Sequence, residues 1–323
     1  MESLIYFLYF QKVFSHEQYS FRLASRVQFF VTGGSNLMEV LDKYTLQDLK
    51  KIAVDIRKDI VEMLYRAESG HPGGSLSAVD ALVALYYTSM NHNPKKPHDP
   101  NRDRFILSKG HAAPALYAVL AKQGYFSGKE LKKLRQVNCM LQGHPVCLYT
   151  PGIEASTGSL GHGLSFANGV ALAGRLDQKD YHVYVMLGDG ETDEGQIWEA
   201  AAAASHYHLG NLTAMIDRNF LQIDGNTEEV LQLENVVDRW AAFGWHVLEI
   251  DGHDIMAIYD AFQEAKAITN KPSMIVLNTV KGKGVSFMEN NVDFHGVPPN
   301  EMEYKMAIEE LDLVKEKLEG THE

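Results

Sequence analysis

Hydrophobic positions recur at helical spacing from Thr45 onward. Thr45 and Asp48 form the pattern of an N-cap with an acidic first turn, which marks the start of a helix. The apolar positions that follow are Leu49, Ile52, Ala53, Ile56, Ile60 and Leu64. Further helices are predicted over 77–90 and 113–123. The polar, proline-broken stretch 91–104 predicts a surface loop between these two helices.

The second half of the chain alternates β-rich runs with helical segments. Strands are predicted over 182–187, 212–216, 245–250 and 273–280, and helices over 196–208, 254–269 and 301–318. This order favours a parallel sheet with helices on both faces, because each helix crosses over between parallel strands. The predicted fold class is therefore α/β, a doubly wound parallel sheet. Such sheets bind ligands beyond the carboxyl ends of their strands.

Residues 1–37 share no periodic pattern with the rest of the chain. The apolar run 4–10 is shorter than the about 20 residues of a membrane-spanning helix, and no basic residue precedes it as in a signal peptide. The codons of Gly33 and Gly34 could read GGAGG-like, which is the sequence of a ribosome-binding site, a few codons before Met38. We hypothesise that 1–37 is a translated upstream extension and that 38–323 is one domain.

Composition and charge narrow the classes of function. The chain has 323 residues and a net charge of −12, which disfavours general binding to nucleic acid or to anionic membranes. The two cysteines, Cys139 and Cys147, are too few for a disulfide scaffold and lack CxxC spacing. This usage favours a cytoplasmic protein. The roles of both cysteines stay open.

Two oxygen-bearing side chains follow consecutive predicted strands. Asp189 comes after the strand 182–187, between two glycines, and Asn219 comes after the strand 212–216. Because a right-handed crossover brings the ends of both strands to the same edge of a sheet, we expect the two side chains to converge. Mg²⁺ uses few protein oxygens and completes its octahedron with water and phosphate. The sequence predicts such a site, with an ordinary strand-end turn as the alternative.

Histidines next to glycine form a second group of candidates. Five of the 14 histidines directly follow a glycine, and a sixth directly precedes one. They are His71, His111, His144, His162, His253 and His295. A lone histidine is often structural, but several on glycine turns predict a pocket rim with acid–base groups. A zinc site is the alternative, and no HExxH spacing or Cys/His cluster supports it.

Seven short motifs occur in order along the chain. They are SGHPGG (69–74), SKGHA (108–112), GHP (143–145), GSLGHG (158–163), GDGETDEG (188–195), IDRNFLQIDG (216–225) and FHG (294–296). Together they closely resemble the amino-terminal, diphosphate-binding half of transketolase, over about residues 45–299. Each motif is weak alone, and their order makes the resemblance specific. It implies the thiamine diphosphate-binding fold.

The resemblance also implies a cofactor, thiamine diphosphate, and a divalent ion, Mg²⁺, for which Ca²⁺ or Mn²⁺ can substitute. The implied metal ligands are Asp189, Asn219 and the main-chain carbonyl of Leu221. The implied cofactor-binding residues are His111, Gly158, Ser159, Leu160, Gly190, Glu194, Glu199, Asn219 and His295. The implied catalytic residues are His71, His144 and His295. His162 stands where full-length transketolases commonly have glutamine, so its role stays open.

The implied activity is the transfer of a two-carbon ketol unit from a ketose phosphate to an aldose phosphate. In this family the glutamate that activates the cofactor lies in a second, pyrimidine-binding domain, and no second α/β unit remains before Glu323. We therefore expect a separate C-terminal subunit in an α₂β₂ heterotetramer, docked on Glu194, Glu199 and the face 200–204. The alternatives are a deoxyxylulose phosphate synthase, a 2-oxo acid dehydrogenase α-subunit or a non-catalytic binding protein on the same fold.

Overall fold

The computed structural model describes residues 43–232 and 234–320. The extension 1–37 and the start at Met38 lie outside the described residues. The helices are α1 (Leu46–Ala67), α2 (Pro72–Ser77), α3 (Val79–Ala84), α4 (Ala113–Gln123), α5 (His162–Leu176), α6 (Gly195–His206), α7 (Thr227–Val230), α8 (Val236–Ala242), α9 (Ile255–Ala267) and α10 (Glu301–Gly320). The strands are β1 (Arg104–Leu107), β2 (Val183–Gly188), β3 (Leu212–Arg218), β4 (Leu221–Gln222), β5 (Gly225–Asn226), β6 (His246–Asp251) and β7 (Ser273–Asn278). Within these residues, no helix has both the length and the apolar character needed to cross a membrane.

The main sheet is parallel throughout, with the strand order β1-β2-β3-β7-β6. Leu107 lies opposite Met186, Gly188 opposite Asp217, and Arg218 opposite Asn278. Two clusters of buried apolar side chains pack helices against its two faces. The predicted doubly wound α/β fold is therefore confirmed. The carboxyl ends of β1, β2, β3 and β7 lie side by side at one edge.

Helix α1 forms as its sequence pattern predicts. The Thr45 Oγ1 accepts a hydrogen bond of 3.1 Å from the main-chain N–H of Asp48, and Asp48 Oδ2 accepts one of 2.9 Å from the Thr45 N–H. This reciprocal pair is a capping box, which satisfies two N–H groups at the helix start. Among the predicted core positions, Ile56 and Leu64 are fully buried.

The helix predicted over 77–90 is present, but it is preceded by a further helix and its last turn is π-helical. The chain enters helix α2 at Pro72, continues through α3, and ends in a π-helical turn, Leu85–Ser89. Proline suits a first helical turn because the N–H that it lacks has no partner there. The glycine pair after Pro72 is buried in the packing of α2 rather than breaking the helix.

Six further elements of the described residues were not predicted: β1, α5, β4, β5, α7 and α8. Strand β1 begins at Arg104, the last residue of the predicted loop 91–104, and has only four residues. Helix α5 begins within the GSLGHG motif, and the short helices α7 and α8 follow the hairpin β4–β5. The remaining predicted strands and helices are present, with bounds that differ from the predictions by a few residues.

Candidate active site

The end of β2 places Asp189 against the turn after β3, which carries Asn219. Asp189 Oδ2 accepts a hydrogen bond of 2.6 Å from the Phe220 N–H, and its Oδ1 accepts one of 2.9 Å from the Gly190 N–H. The Asn219 Oδ1 accepts a bond of 3.2 Å from the Leu221 N–H. The Asp189 carboxylate therefore lies against the turn that carries the Asn219 amide.

Asp189 is a buried carboxylate that forms no ion pair within the described residues. Burial raises its pKa to about 6, helped by the nearby charge of Asp217, while the hydrogen bonds from Gly190 and Phe220 oppose the rise. Asp189, the Asn219 amide and the Leu221 carbonyl together supply oxygen donors. Such donors suit a hard divalent cation.

Four of the predicted histidines form one cluster, which we call the histidine cluster: His71, His111, His144 and His295. The ring centroid of His71 lies 5.2 Å from that of His111, 5.7 Å from that of His295 and 6.4 Å from that of His144. The rings of His111 and His295 stack at 5.4 Å. Residues separated by up to 224 positions (295 − 71) in the sequence thus meet beside one sheet edge.

The rings of the histidine cluster are neutral near pH 7. Burial lowers the pKa of His71 to about 4, and the charge of Arg135 lowers it further. Burial and the charge of Lys281 lower the pKa of His295 to about 3. The pKa values of His111 and His144 are lowered as well, first by burial and then by Lys109 and Arg135, respectively. A neutral imidazole accepts a proton at one nitrogen and donates at the other.

Lys281 joins the histidine cluster to the predicted metal ligands. Its buried ammonium donates to the Leu221 carbonyl at 2.7 Å and lies 2.9 Å from His295 Nδ1. Because an ammonium only donates, His295 Nδ1 accepts and the ring proton lies on Nε2. Burial lowers the Lys281 pKa to about 8. The sequence prediction missed this residue, although it lies in a glycine-rich segment directly after a predicted strand.

A buried ion pair lies beneath the histidine cluster. The Lys109 ammonium contacts Asp217 Oδ2 and donates to the Gly74 carbonyl at 2.8 Å. Asp217 also accepts a hydrogen bond of 2.6 Å from Ser77 Oγ and one of 3.2 Å from Asn219 Nδ2. This pair was missed too, although both residues lie inside the quoted motifs.

Glu191 fixes the predicted cofactor turn 158–160. Its buried carboxylate accepts hydrogen bonds from the Gly161 N–H at 2.9 Å, from the Gly188 N–H at 3.0 Å and from the Ser108 hydroxyl. The turn is thereby joined to the ends of β1 and β2. A Cβ on Gly158 would lie 3.2 Å from the His144 ring, so only glycine leaves His144 its space.

The predicted residues Gly158 and Ser159 line a cavity of about 490 Å³ together with His144. This volume lies within the usual range for small-molecule sites, about 300–1,000 Å³. His162 and Phe166, from the first turns of α5, line the same cavity and are exposed. The structure therefore places His162 at the rim and outside the histidine cluster.

Glu194 and Glu199 are exposed at the amino-terminal end of α6. The expected docking face 200–204 is only partly available, which corrects the sequence prediction. Ala200, Ala201 and Ala204 are buried. Their side of α6 packs inward, where Trp245 Nε1 donates to the Ala201 carbonyl at 3.0 Å.

His253 makes its contacts with Asp80 and Val280 rather than with the ring cluster. Both cysteines are free thiols. Cys139 is buried and Cys147 is exposed. Neither has a contact that assigns it a role in the site.

Comparison with known proteins identifies the family. The family model described as "Transketolase, thiamine diphosphate binding domain" matches residues 49–318. The chain belongs to this family. The predicted family, the thiamine diphosphate-binding fold and the thiamine cofactor are therefore confirmed.

Two relatives are named as subunits of transketolases. An apulose-4-phosphate transketolase subunit from Phocaeicola vulgatus is 46% identical over 263 residues, covering 81% of this chain and 93% of that protein. The 6-deoxy-6-sulfo-D-fructose transketolase subunit SqwG from a Clostridium species is 48% identical over 265 residues, covering 82% and 96%. These names confirm the predicted function of a transketolase subunit, which they favour over the other thiamine enzymes.

The chain also resembles a solved transketolase. The crystal structure of Pichia stipitis transketolase with sedoheptulose 7-phosphate superposes with a TM-score of 0.74 at 35% identity. The match covers 84% of this chain and 45% of the yeast protein. The chain thus spans about half the length of that transketolase.

The residues at the sheet edge fit thiamine diphosphate and a divalent ion. His71 Nδ1 is buried and has no hydrogen-bond partner among the described residues. A Cβ at Gly74 would lie 3.2 Å from His111 Nε2, so the glycine leaves room for the His111 ring. The buried Asp189 carboxylate and the oxygen donors beside it suit a divalent cation. The unpaired His71 nitrogen suits a polar atom of a bound ligand.

We predict that replacing His295 with glutamine flattens the pH dependence of stability. Histidine takes up its proton near pH 6.5 in the unfolded chain, and His295 does so only near pH 3 in the folded one. Acidification from about pH 6.5 therefore favours the unfolded state, and His295→Gln removes one group that causes this loss.

The measurement is the free energy of unfolding in urea at several pH values between about 7.5 and 5. The control is His206→Gln, at an exposed position on α6, which should keep the wild-type slope. A His295→Gln slope equal to that of the wild type would contradict the neutral, buried state of His295.

Proposed function

We propose that this chain is the cofactor-binding half of a ketol-transferring enzyme whose second half is a separate C-terminal subunit. The observation that carries the proposal is the meeting of the histidine cluster with Asp189 and Asn219 at one sheet edge. The donor is a ketose and the acceptor an aldose, each carrying an anionic group. The named substrates of both relatives fit this class, since one bears a phosphate and the other a sulfonate.

Three oxygen ligands of this chain would hold the divalent ion, which we propose is Mg²⁺. They are the Asp189 carboxylate, the Asn219 side-chain oxygen and the Leu221 carbonyl. Gly190 lies directly after Asp189, and its lack of a side chain would let the diphosphate approach the backbone. When bound, thiamine diphosphate supplies the carbon nucleophile and the electron sink for cleavage beside a ketone.

The histidine cluster would handle the protons of the sugar. Each transfer removes a proton from one hydroxyl and returns a proton to another oxygen, and a neutral imidazole does both. His295 carries its proton on Nε2, because Lys281 donates to its Nδ1. We assign His71, His144 and His295 to these steps and His111 to the cofactor.

The partner subunit would cover the cavity beside His144. Phe166 lines this cavity with its side chain 46% exposed, and Glu194 and Glu199 are exposed on the adjoining helix. An apolar wall with carboxylates at its border is typical of a protein interface that also completes a binding site. We propose an α₂β₂ heterotetramer in which the partner supplies the acid that activates the cofactor.

We predict that Asp189→Ala abolishes binding of thiamine diphosphate at ordinary Mg²⁺ concentration. Few protein ligands anchor the ion, so loss of the carboxylate removes the main charge that holds it. Isothermal titration calorimetry of the purified chain measures the affinity. The control is Asp224→Ala, an exposed acid in the β4–β5 turn. Wild-type affinity in Asp189→Ala would contradict the metal assignment.

We predict that His71→Ala and His295→Ala fold and bind the partner but lose turnover. Positioned acid–base groups contribute about 10²–10⁴-fold to rate. The measurement is kcat in the assembled enzyme with saturating ketose and aldose phosphates, with His206→Ala as the control. If both variants kept turnover within a few-fold of wild type, the two histidines would be structural.

We predict that this chain alone has no ketol transferase activity and that mixing it with its partner creates activity. Each half then lacks groups that the other supplies, so neither completes the reaction. The test measures transfer by each purified chain and by the mixture, with native mass spectrometry to count subunits. Appreciable transfer by the isolated 323-residue chain would falsify the split-enzyme proposal.

A further inference from the structure

A buried network of three side chains lies behind the segment that carries Lys281. Arg57 and Asp80 form a two-point ion pair, with Nη1 3.2 Å from Oδ1 and Nη2 2.6 Å from Oδ2. The His253 Nδ1 lies 2.7 Å from the same Asp80 Oδ2. The Arg57 and Asp80 side chains are each 8% exposed and that of His253 is 14% exposed. The three elements involved are α1, α3 and the turn after β6.

The hydrogen bonds of His253 define its tautomer. The Val280 main-chain N–H donates to His253 Nε2 at 2.8 Å, so this nitrogen accepts. The ring proton therefore lies on Nδ1 and is donated to Asp80. Burial raises the pKa of Asp80, but the charge of Arg57 and the hydrogen bonds of His253 and Arg57 outweigh it and leave the pKa lowered. Asp80 is thus an ionised acceptor.

The network holds the segment 280–284 on both sides of Lys281. His253 binds the N–H of Val280, and Arg57 Nε donates to the Lys283 carbonyl at 3.0 Å. Between them, the Gly282 N–H donates to the Gly73 carbonyl at 3.0 Å. Three main-chain groups of this segment are therefore bound by parts of the chain that lie far from it in the sequence.

His253 is placed to orient rather than to exchange protons with a sugar. Both of its ring nitrogens are engaged, one by Asp80 and the other by a main-chain N–H. An Asp–His pair that acts as a general base needs the second nitrogen free for its substrate. Here that nitrogen is committed to Val280, whose neighbour Lys281 reaches Leu221 and His295.

We propose that Asp80 and His253 are positioning residues, which hold segment 280–284 so that the Lys281 ammonium lies between the Leu221 carbonyl and His295. The inference rests on the proposed function, since that function places Leu221 and His295 at the cofactor. The inference adds a set of hydrogen bonds to the main chain of 280–284, which support the site from outside it. Neither Asp80 nor His253 is among the residues that we propose to contact the cofactor or the sugar.

The experiment compares substitutions in the full chain with a matched control. His253→Leu removes both hydrogen bonds, whereas His253→Gln supplies one donor and one acceptor in their place. The control is His182→Leu at the opposite end of the sheet, where a partly buried histidine contacts Thr213 Oγ1 at 2.8 Å. Two readouts are measured: hydrogen exchange of the amides 280–284, and thiamine diphosphate affinity by calorimetry at fixed Mg²⁺.

We expect His253→Leu to speed exchange across 280–284 and to weaken cofactor affinity by about 10–100-fold, the usual effect of losing an outer support of a site. His253→Gln should recover most of the affinity. His182→Leu should lower stability but leave affinity and the exchange of 280–284 unchanged. Wild-type affinity in His253→Leu, or an equal loss in His182→Leu, would overturn the inference.

A measurement on the wild-type chain keeps the inference testable even if His253→Leu does not fold. Two-bond ¹⁵N–¹H spectra of histidine-labelled protein at neutral pH should show the Nδ1–H tautomer for His253, and the Nε2–H tautomer would overturn the inference. If the assembled wild-type enzyme binds cofactor but transfers no ketol unit, only the proposed function fails. The comparison of His253 variants then still decides whether His253 positions the site.

Discussion

The buried ion pair between Lys109 and Asp217 is the contact on which the candidate active site depends. A charge this deep is costly without its counterion, so neither residue is stable in place alone. Lys109 also donates to the Gly74 carbonyl, and Asp217 accepts from the hydroxyls of Ser77 and Thr279. Strand β3, the segments after β1 and β7, and helix α2 are thereby joined at one point, and the histidine cluster lies on top of it.

Cations lie close to the histidine cluster although the chain as a whole is acidic. The protein carries a net charge of −12, yet the cations around the histidine cluster are Lys109, Lys281 and Arg135. Their charges add to burial in keeping the imidazoles neutral near pH 7. The net charge of the chain therefore does not describe the charges around its candidate active site.

Local patterns made part of this structure predictable. Helix α1 has a strong apolar period and a capping box, and β2, β3 and β7 are nearly continuous apolar runs. Strand β1 has four residues beside a polar loop, and α5 is rich in glycine and alanine, so neither has a clear period. Glycine neighbours indicated the histidines. Lys109 and Asp217 are 108 positions apart, and their contact depends on a strand order that no local pattern encodes.

That strand order also has a consequence for the time course of synthesis. In the finished sheet β7 lies between β3 and β6, although it is the last of these strands to leave the ribosome. Until Ser273–Asn278 emerges, β3 has an unpaired edge, and all seven of its residues are buried in the native protein. A largely apolar strand with an open edge is a template for wrong pairing. The nascent chain therefore passes through a stage that favours protection by a chaperone, and the site forms only after that stage ends.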